Sequence, residues 1–275
     1  MHFSWKGVAV ATAMVSLPLM AMAATDAATE AKLKAAIAGA HRAPENASRD
    51  AGRHPLETLK AIGLKDDMAV LEITPYGGYW TEILAPVLRD KGRYVAAGGD
   101  PAASEGSKKG ADAYQAKLSK DPAVYGKVEV AVLNIKTGKT EPVKPGTMDM
   151  VVTFRNIHNW MAQDQAKQMF DIMYASLKPG GILGLEEHRA PTTKEQDPKA
   201  ASGYVREDFA IKLIESAGFK LVSKSEVNAN PKDTKDYPKG VWTLPPNYAE
   251  KDVDKAKYTA IGESDRFTLV FLKPK

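Results

Sequence analysis

From residue 68 to residue 272 the chain alternates short apolar runs with stretches of helical periodicity. No other feature constrains the fold as much. Strands joined through helices pair in parallel, and a parallel sheet needs helices on both faces. Residues 68–73, 93–97, 128–135, 150–154, 182–186 and 219–227 read as six successive strands, and Arg266–Leu272 reads as a last one. Helical stripes fall between them. One covers 80–90, with Ile83, Leu84, Val87 and Leu88 on one face; a polar one covers about 107–118. Another covers 164–177, with Met169, Phe170 and Met173 at core spacing, and a fourth covers 206–217, with Phe209, Ala210, Leu213 and Ile214. Gly92 and Gly218 stand where helices stop. Lys178-Pro179-Gly180-Gly181 reads as a sharp turn, and the proline-bearing stretch 228–263 as an irregular flap. The pattern predicts one doubly wound α/β domain without internal repeats.

The first 23 residues are of another kind. Lys6 supplies a positive start, residues 7–19 are mostly apolar, and Ala21-Met22-Ala23 has the small-x-small form of a cleavage site. We expect a signal peptide over 1–23, cut after Ala23, and an exported, periplasmic protein. Pro18 and the short run argue against a spanning helix, which needs about 20 apolar residues, so no stable membrane insertion is expected after cleavage. Residues 24–54 read as a helical or flexible segment, with a peripheral helix near 31–40. The main domain is placed at 55–275, opening on a helix that starts at Pro55. With 38 basic and 34 acidic residues, the formal charge of +4 is too slight to indicate nucleic acid. The lack of cysteine excludes disulfides, thiolate catalysis and cysteine-based metal sites. The oligomeric state is not legible from sequence.

The chemistry begins at Leu71-Glu72-Ile73-Thr74-Pro75-Tyr76-Gly77-Gly78. In open α/β sheets ligands bind beyond the carboxyl ends of the strands, at the point where strand order reverses. Glu72 lies at that end of the first strand and can hold a cationic amino group. Gly77 and Gly78 let backbone approach a ligand closely. Asp100 follows the second strand, at the spacing where an acid accepts ribose hydroxyls, or else it serves a turn before Pro101. The missing G-x-G-x-x-G, together with Glu72, favours S-adenosylmethionine (SAM) over NAD. Expected cofactor residues are Glu72, Thr74, Tyr76, Gly77, Gly78 and Asp100.

The fourth strand ends in Phe154-Arg155-Asn156-Ile157-His158-Asn159-Trp160. His158 is read as a general base, since imidazole titrates near neutrality, with Asn156 and Arg155 as orienting groups. Local helix capping is the plainer role for Asn156. Glu187 and His188, after the fifth strand, can contact substrate. A metal reading would combine them with His158, but no ligand spacing such as H-x-x-x-H supports it, and no metal is expected. A serine hydrolase is a poor fit, as G-x-S-x-G is absent.

Together these stretches resemble the class I SAM-dependent methyltransferase superfamily. More narrowly they are similar to an exported bacterial methyltransferase-like family, through Thr81-Glu82-Ile83-Leu84-Ala85-Pro86, the Arg155–Trp160 stretch, Leu177-Lys178-Pro179-Gly180-Gly181, Glu187-His188-Arg189 and Asp265-Arg266-Phe267. The resemblance implies a Rossmann-like seven-stranded sheet, its last strand antiparallel and inserted between the fifth and sixth. It also implies SAM held by the first loop and Asp100. It names no substrate; a small-molecule acceptor is expected. Members of the narrower family carry glycine where Tyr76 stands, and a tyrosine there would fill space that the methionine moiety needs. Two other readings stay open: an exported, non-catalytic ligand-binding protein on the same fold, and a nicotinamide-dependent oxidoreductase.

Overall fold

A computed structural model of the chain describes residues 24–75 and 77–275. The expected signal peptide and Tyr76 lie outside the described residues. Among the described residues, four helices precede the first strand: α1 (Ala27–Ile37), α2 (Pro44–Ala47), α3 (Asp50–Arg53) and α4 (Pro55–Ala61). The central run is β1 (Ala69–Ile73), α5 (Thr81–Leu88), β2 (Arg93–Gly99), α6 (Glu105–Lys120), α7 (Pro122–Tyr125), β3 (Glu129–Asn134) and β4 (Lys139–Glu141). Next come β5 (Met148–Phe154), α8 (Ile157–Ala162), α9 (Ala166–Ser176), β6 (Leu177–His188), α10 (Glu207–Glu215) and β7 (Lys220–Ser225). The chain closes with α11 (Lys255–Ile261) and β8 (Arg266–Leu272).

The strands form one sheet in the order β4-β3-β2-β1-β5-β6-β8-β7. Strands β3, β2, β1, β5 and β6 run parallel, and β8 inserts antiparallel between β6 and β7. The inserted antiparallel strand is as expected; the count of seven is corrected to eight. The extra strand, β4, follows the turn at Thr137-Gly138 and pairs antiparallel with β3 at the sheet edge. Three residues carry too little pattern to be read as a strand in sequence.

Strand alternation splits the core into two layers. Leu71 and Ile73 of β1 pack on the side of α8, α9 and α10, and Val70 packs with Leu33, Leu59, Ile83 and Leu84 on the other. Helix α1 is therefore not peripheral, since Leu33 is fully buried in that second layer. The segment after it is tied to α5, where His41 Nε2 lies 2.7 Å from the Glu82 carbonyl oxygen and the Asn46 amide donates to Glu82 Oε1 at 2.8 Å. The Lys178–Gly181 stretch is a further correction. It is an irregularity inside the long strand β6 rather than a turn before it, with Gly180 at φ +81°. The flap at 228–263 holds a 3₁₀ turn, Gly240–Thr243, and α11. Among the described residues no helix is long and apolar enough to cross a membrane.

Candidate functional site

Beyond the carboxyl ends of β1, β2 and β3, and beside α8, lies a cleft of about 750 Å³. Its lining includes Thr74, Gly99, Asp100, Asn134, Asn159 and Trp160. The strand order reverses between β1 and its neighbours β2 and β5, so the cleft sits where an open sheet leaves a crevice. Thr74 still donates its amide to the Ala97 carbonyl at 2.8 Å and then turns to φ +60°. Left-handed backbone is costly for a β-branched residue, so the first loop leaves the sheet under local strain. Gly77 and Gly99 have nothing within 4 Å of where a Cβ would stand, so their sides of the loops are open. Asp100 Oδ1 accepts the Ala102 amide at 2.8 Å, the expected turn use. That leaves its second oxygen without a partner among the described residues.

Glu72 does not line this cleft. Period-two alternation puts it on the face of Val70, toward α5, where it is 2% exposed and accepts the Tyr94 hydroxyl. Thr81 Oγ1 continues the chain to Tyr94 Oη at 2.9 Å and Tyr114 Oη at 2.8 Å. Burial pushes the Glu72 carboxyl up to about 7, and the Tyr94 hydroxyl only partly opposes that rise. Tyr94 and Tyr114 were not legible as its partners, since each is one aromatic in an amphipathic pattern.

Arg155 and Asn156 leave β5 as Thr74 leaves β1. Arg155 donates its amide to the Glu186 carbonyl at 2.7 Å and has φ +60°. Its guanidinium enters a buried ionic cluster: Nε is 3.7 Å from Glu186 Oε1 and Nη1 is 3.9 Å from Glu263 Oε2. Arg266, 1% exposed, pairs with the same Glu186 oxygen at 2.9 Å. This cluster ties the flap to the sheet. Asn156 occupies the cap position of α8 but makes no side-chain cap bond. Its amide donates instead to Thr153 Oγ1 at 2.9 Å and to the Ile73 carbonyl at 3.3 Å. Its Oδ1 is buried with no partner among the described residues. An orphaned acceptor wedged between the ends of β1 and β5 suits a ligand that donates hydrogen bonds.

His158 stands on α8, a short helix that the sequence pattern did not separate from α9. Its Nδ1 lies 3.0 Å from Glu187 Oε1, and its amide donates to Glu187 Oε2 at 3.3 Å. Glu187 Oε1 also accepts the His188 amide at 2.8 Å. The His188 ring centre is 5.3 Å from that of His158, and its Nδ1 bonds Ser264 Oγ. Burial, with His158 and two arginines nearby, pulls the His188 imidazole well below its ordinary range. Trp242 of the flap stands edge-on to His158 at 5.9 Å, and Tyr204 stands 6.3 Å from His188. Sequence reading combined Glu187 and His188 with His158 only as a metal reading set aside for want of ligand spacing; the structure brings the three together. Trp242 and Tyr204 were missed, because nothing in a coil sequence shows where it folds back.

The architecture has counterparts among solved structures. A SAM-dependent methyltransferase from Aquifex aeolicus superposes with a TM-score of 0.55 at 18% identity, covering 89% of this chain and 98% of that one. The 4+2 cyclase SpnF gives 0.53 at 15%, over 90% and 93%. A putative sarcosine dimethylglycine methyltransferase from Galdieria sulphuraria gives 0.51 at 11%, over 84% and 88%. The chain shares its fold with these proteins. At such identities the likeness speaks for the fold alone. No protein-family model matches this sequence, and no curated protein matches it.

Proposed function

We propose that the chain is a SAM-dependent methyltransferase acting on a small-molecule acceptor. The observation that carries this reading is the open cleft at the strand-order reversal, with Asp100 in its lining and, between the ends of β1 and β5, the buried Asn156 Oδ1 that has no partner among the described residues. SAM would supply an electrophilic methyl group on a sulfonium. The residues present fit it. The free Asp100 oxygen can accept from ribose hydroxyls, Asn156 Oδ1 from an ammonium group, and the sides of Gly77 and Gly99 leave room for backbone approach. Thr74 lines the cleft, Gly78 holds the left-handed turn at φ +76°, and Tyr76 completes the loop outside the described residues. Glu72, expected from sequence to hold the amino group directly or through water, instead meets Tyr94, whose hydroxyl also meets Thr81 at the start of α5.

Methyl transfer depends chiefly on alignment of donor and acceptor, so few catalytic side chains are needed. Proton removal from the acceptor is assigned to the cluster around His158, where Glu187 fixes the orientation of the imidazole. Asn156 and Arg155 hold the β5 end in place. Export and cleavage after Ala23 remain part of the proposal.

The test is isothermal titration of the protein, starting at residue 24, with SAM and with its demethylated product. Binding of either supports the reading; no heat from either at millimolar concentration would sink it. One observation favours the second reading, a non-catalytic binder: the acid expected to meet the cofactor is buried against Tyr94. Folds do not fix activities, and the likeness to a cyclase illustrates this. Ligand binding without methyl transfer to any tested hydroxyl, thiol or amine acceptor would select that reading.

A further inference from the structure

Four buried ionisable clusters stand out among the described residues. Glu72 with Tyr94 and Tyr114 is closed by its own hydrogen bonds. Glu82 is enclosed by Lys117, Asn46 and Arg42. In the cluster of Arg155, Arg266, Arg49 and Arg53 with Glu186 and Glu263, each acid is already paired with arginine. The fourth differs. His158, Glu187 and His188 combine two imidazoles and a carboxylate, with no lysine or arginine paired to Glu187 among the described residues. One ligand-type atom from each lies within 4.8 Å of the others.

We propose that His158, Glu187 and His188 form a binding site for a divalent first-row transition-metal ion such as zinc. Two histidines and a carboxylate are a donor set such ions take, with further positions left open for exchangeable ligands. The ring geometry agrees. Metal–nitrogen bonds of about 2.0–2.1 Å at a tetrahedral ion put two imidazole centres roughly 5 Å apart. These rings are 5.3 Å apart. An outer layer of support is also present: Ser264 Oγ bonds His188 Nδ1, and the amides of His158 and His188 hold the Glu187 carboxylate. Trp242 and Tyr204 stand edge-on beside the two imidazoles. Without an ion, the 3.0 Å contact between His158 Nδ1 and Glu187 Oε1 is closed by a proton, and the ion takes that proton's place.

The set was not legible as a motif because its members come from two elements. Glu187 and His188 are adjacent on β6, and His158 arrives from α8 because β5 and β6 are neighbours. An ion here would take over from His158 as the means of deprotonation: it would lower the pKa of a bound hydroxyl, thiol or water, whose proton leaves to solvent. That use of the ion rests on the methyl-transfer reading; the ion site does not.

The experiment is cobalt titration of the protein from residue 24 after dialysis against a chelator and then chelator-free buffer. One equivalent of Co²⁺ should bind and give visible d–d absorption, and zinc should displace it. His188→Asn and His158→Asn should each abolish the band. Ser264→Ala, which keeps all three ligands, should weaken binding by roughly 10-fold. Two outcomes overturn the proposal: no visible band and no heat with Co²⁺ or Zn²⁺ in the unsubstituted protein, or an unchanged band in folded His158→Asn. The first needs no variant, so misfolding of a substituted chain cannot obscure it. Parallel SAM titration separates the two readings: an ion bound without SAM leaves this site and removes methyl transfer, and SAM bound without an ion does the reverse.

Discussion

Glu72 shows how one residue can carry a correct pattern and a different job. Its place at the end of β1 was legible, but its direction was set by strand parity: β1 puts Leu71 and Ile73 on one face and Val70 and Glu72 on the other. A carboxyl buried there titrates at about 7, against 4.5 in the open chain. The folded state thus binds the proton more tightly than the unfolded one. Its stabilising effect is full below pH 4.5 and is lost as pH rises through 7. Denaturant titrations across that window should show a fall on the order of 3 kcal/mol from this group. Glu72→Gln should flatten that part of the profile, and an unchanged slope would refute the assignment. Asp100 makes a separate prediction at the same scale. Asp100→Ala should weaken SAM binding roughly 10- to 100-fold by calorimetry while leaving the fold intact, as expected for loss of hydrogen bonds to a charged acceptor.

Among the elements, α1 and the flap depart furthest from their sequence reading. Helix α1 has an alanine-rich, weakly patterned sequence, yet Leu33 is fully buried against the layer of α4 and α5. Leu33→Ala should therefore cost ~2–5 kcal/mol in urea or guanidinium unfolding, where a peripheral helix would lose little. The flap is pinned where Val241 donates its amide to the Ser202 carbonyl at 2.9 Å. Beside that bond Gly240 sits at φ +56°, and a Cβ there would stand 2.2 Å from the same carbonyl oxygen. Gly240→Ala should destabilise by ~1–3 kcal/mol and raise proteolysis within 228–263. Cleavage rates equal to those of the parent would show that this contact does not hold the flap. Strands β1, β2, β5 and β8 were readable within two residues, since the buried parallel strands β1, β2 and β5 are continuous apolar runs and antiparallel β8 alternates, with Phe267, Leu269 and Phe271 on one face. Short elements such as α8 and β4 were not, because three to six residues hold less than two turns or one alternation.

For the molecule as a whole, ligand linkage is the decisive measurement. A cofactor that binds the folded state alone raises stability by about 2.7 kcal/mol at 100 times its Kd, so SAM should raise Tm by several degrees in a concentration-dependent way. No shift at saturating SAM would count against the cleft at the ends of β1, β2 and β3 as its site. The sequence by itself determined the parallel α/β architecture, the position of the loop after β1 and the presence of an acid after β2. Those follow from hydrophobic period and turn chemistry, which are local. Only the tertiary structure decided that Glu72 turns away from the cleft, that Asn156 keeps an unpartnered oxygen at the reversal point, and that His158 meets Glu187 and His188. Each depends on which strand lies beside which and on which face a side chain emerges. Those are relations between segments many residues apart, and no local pattern records them.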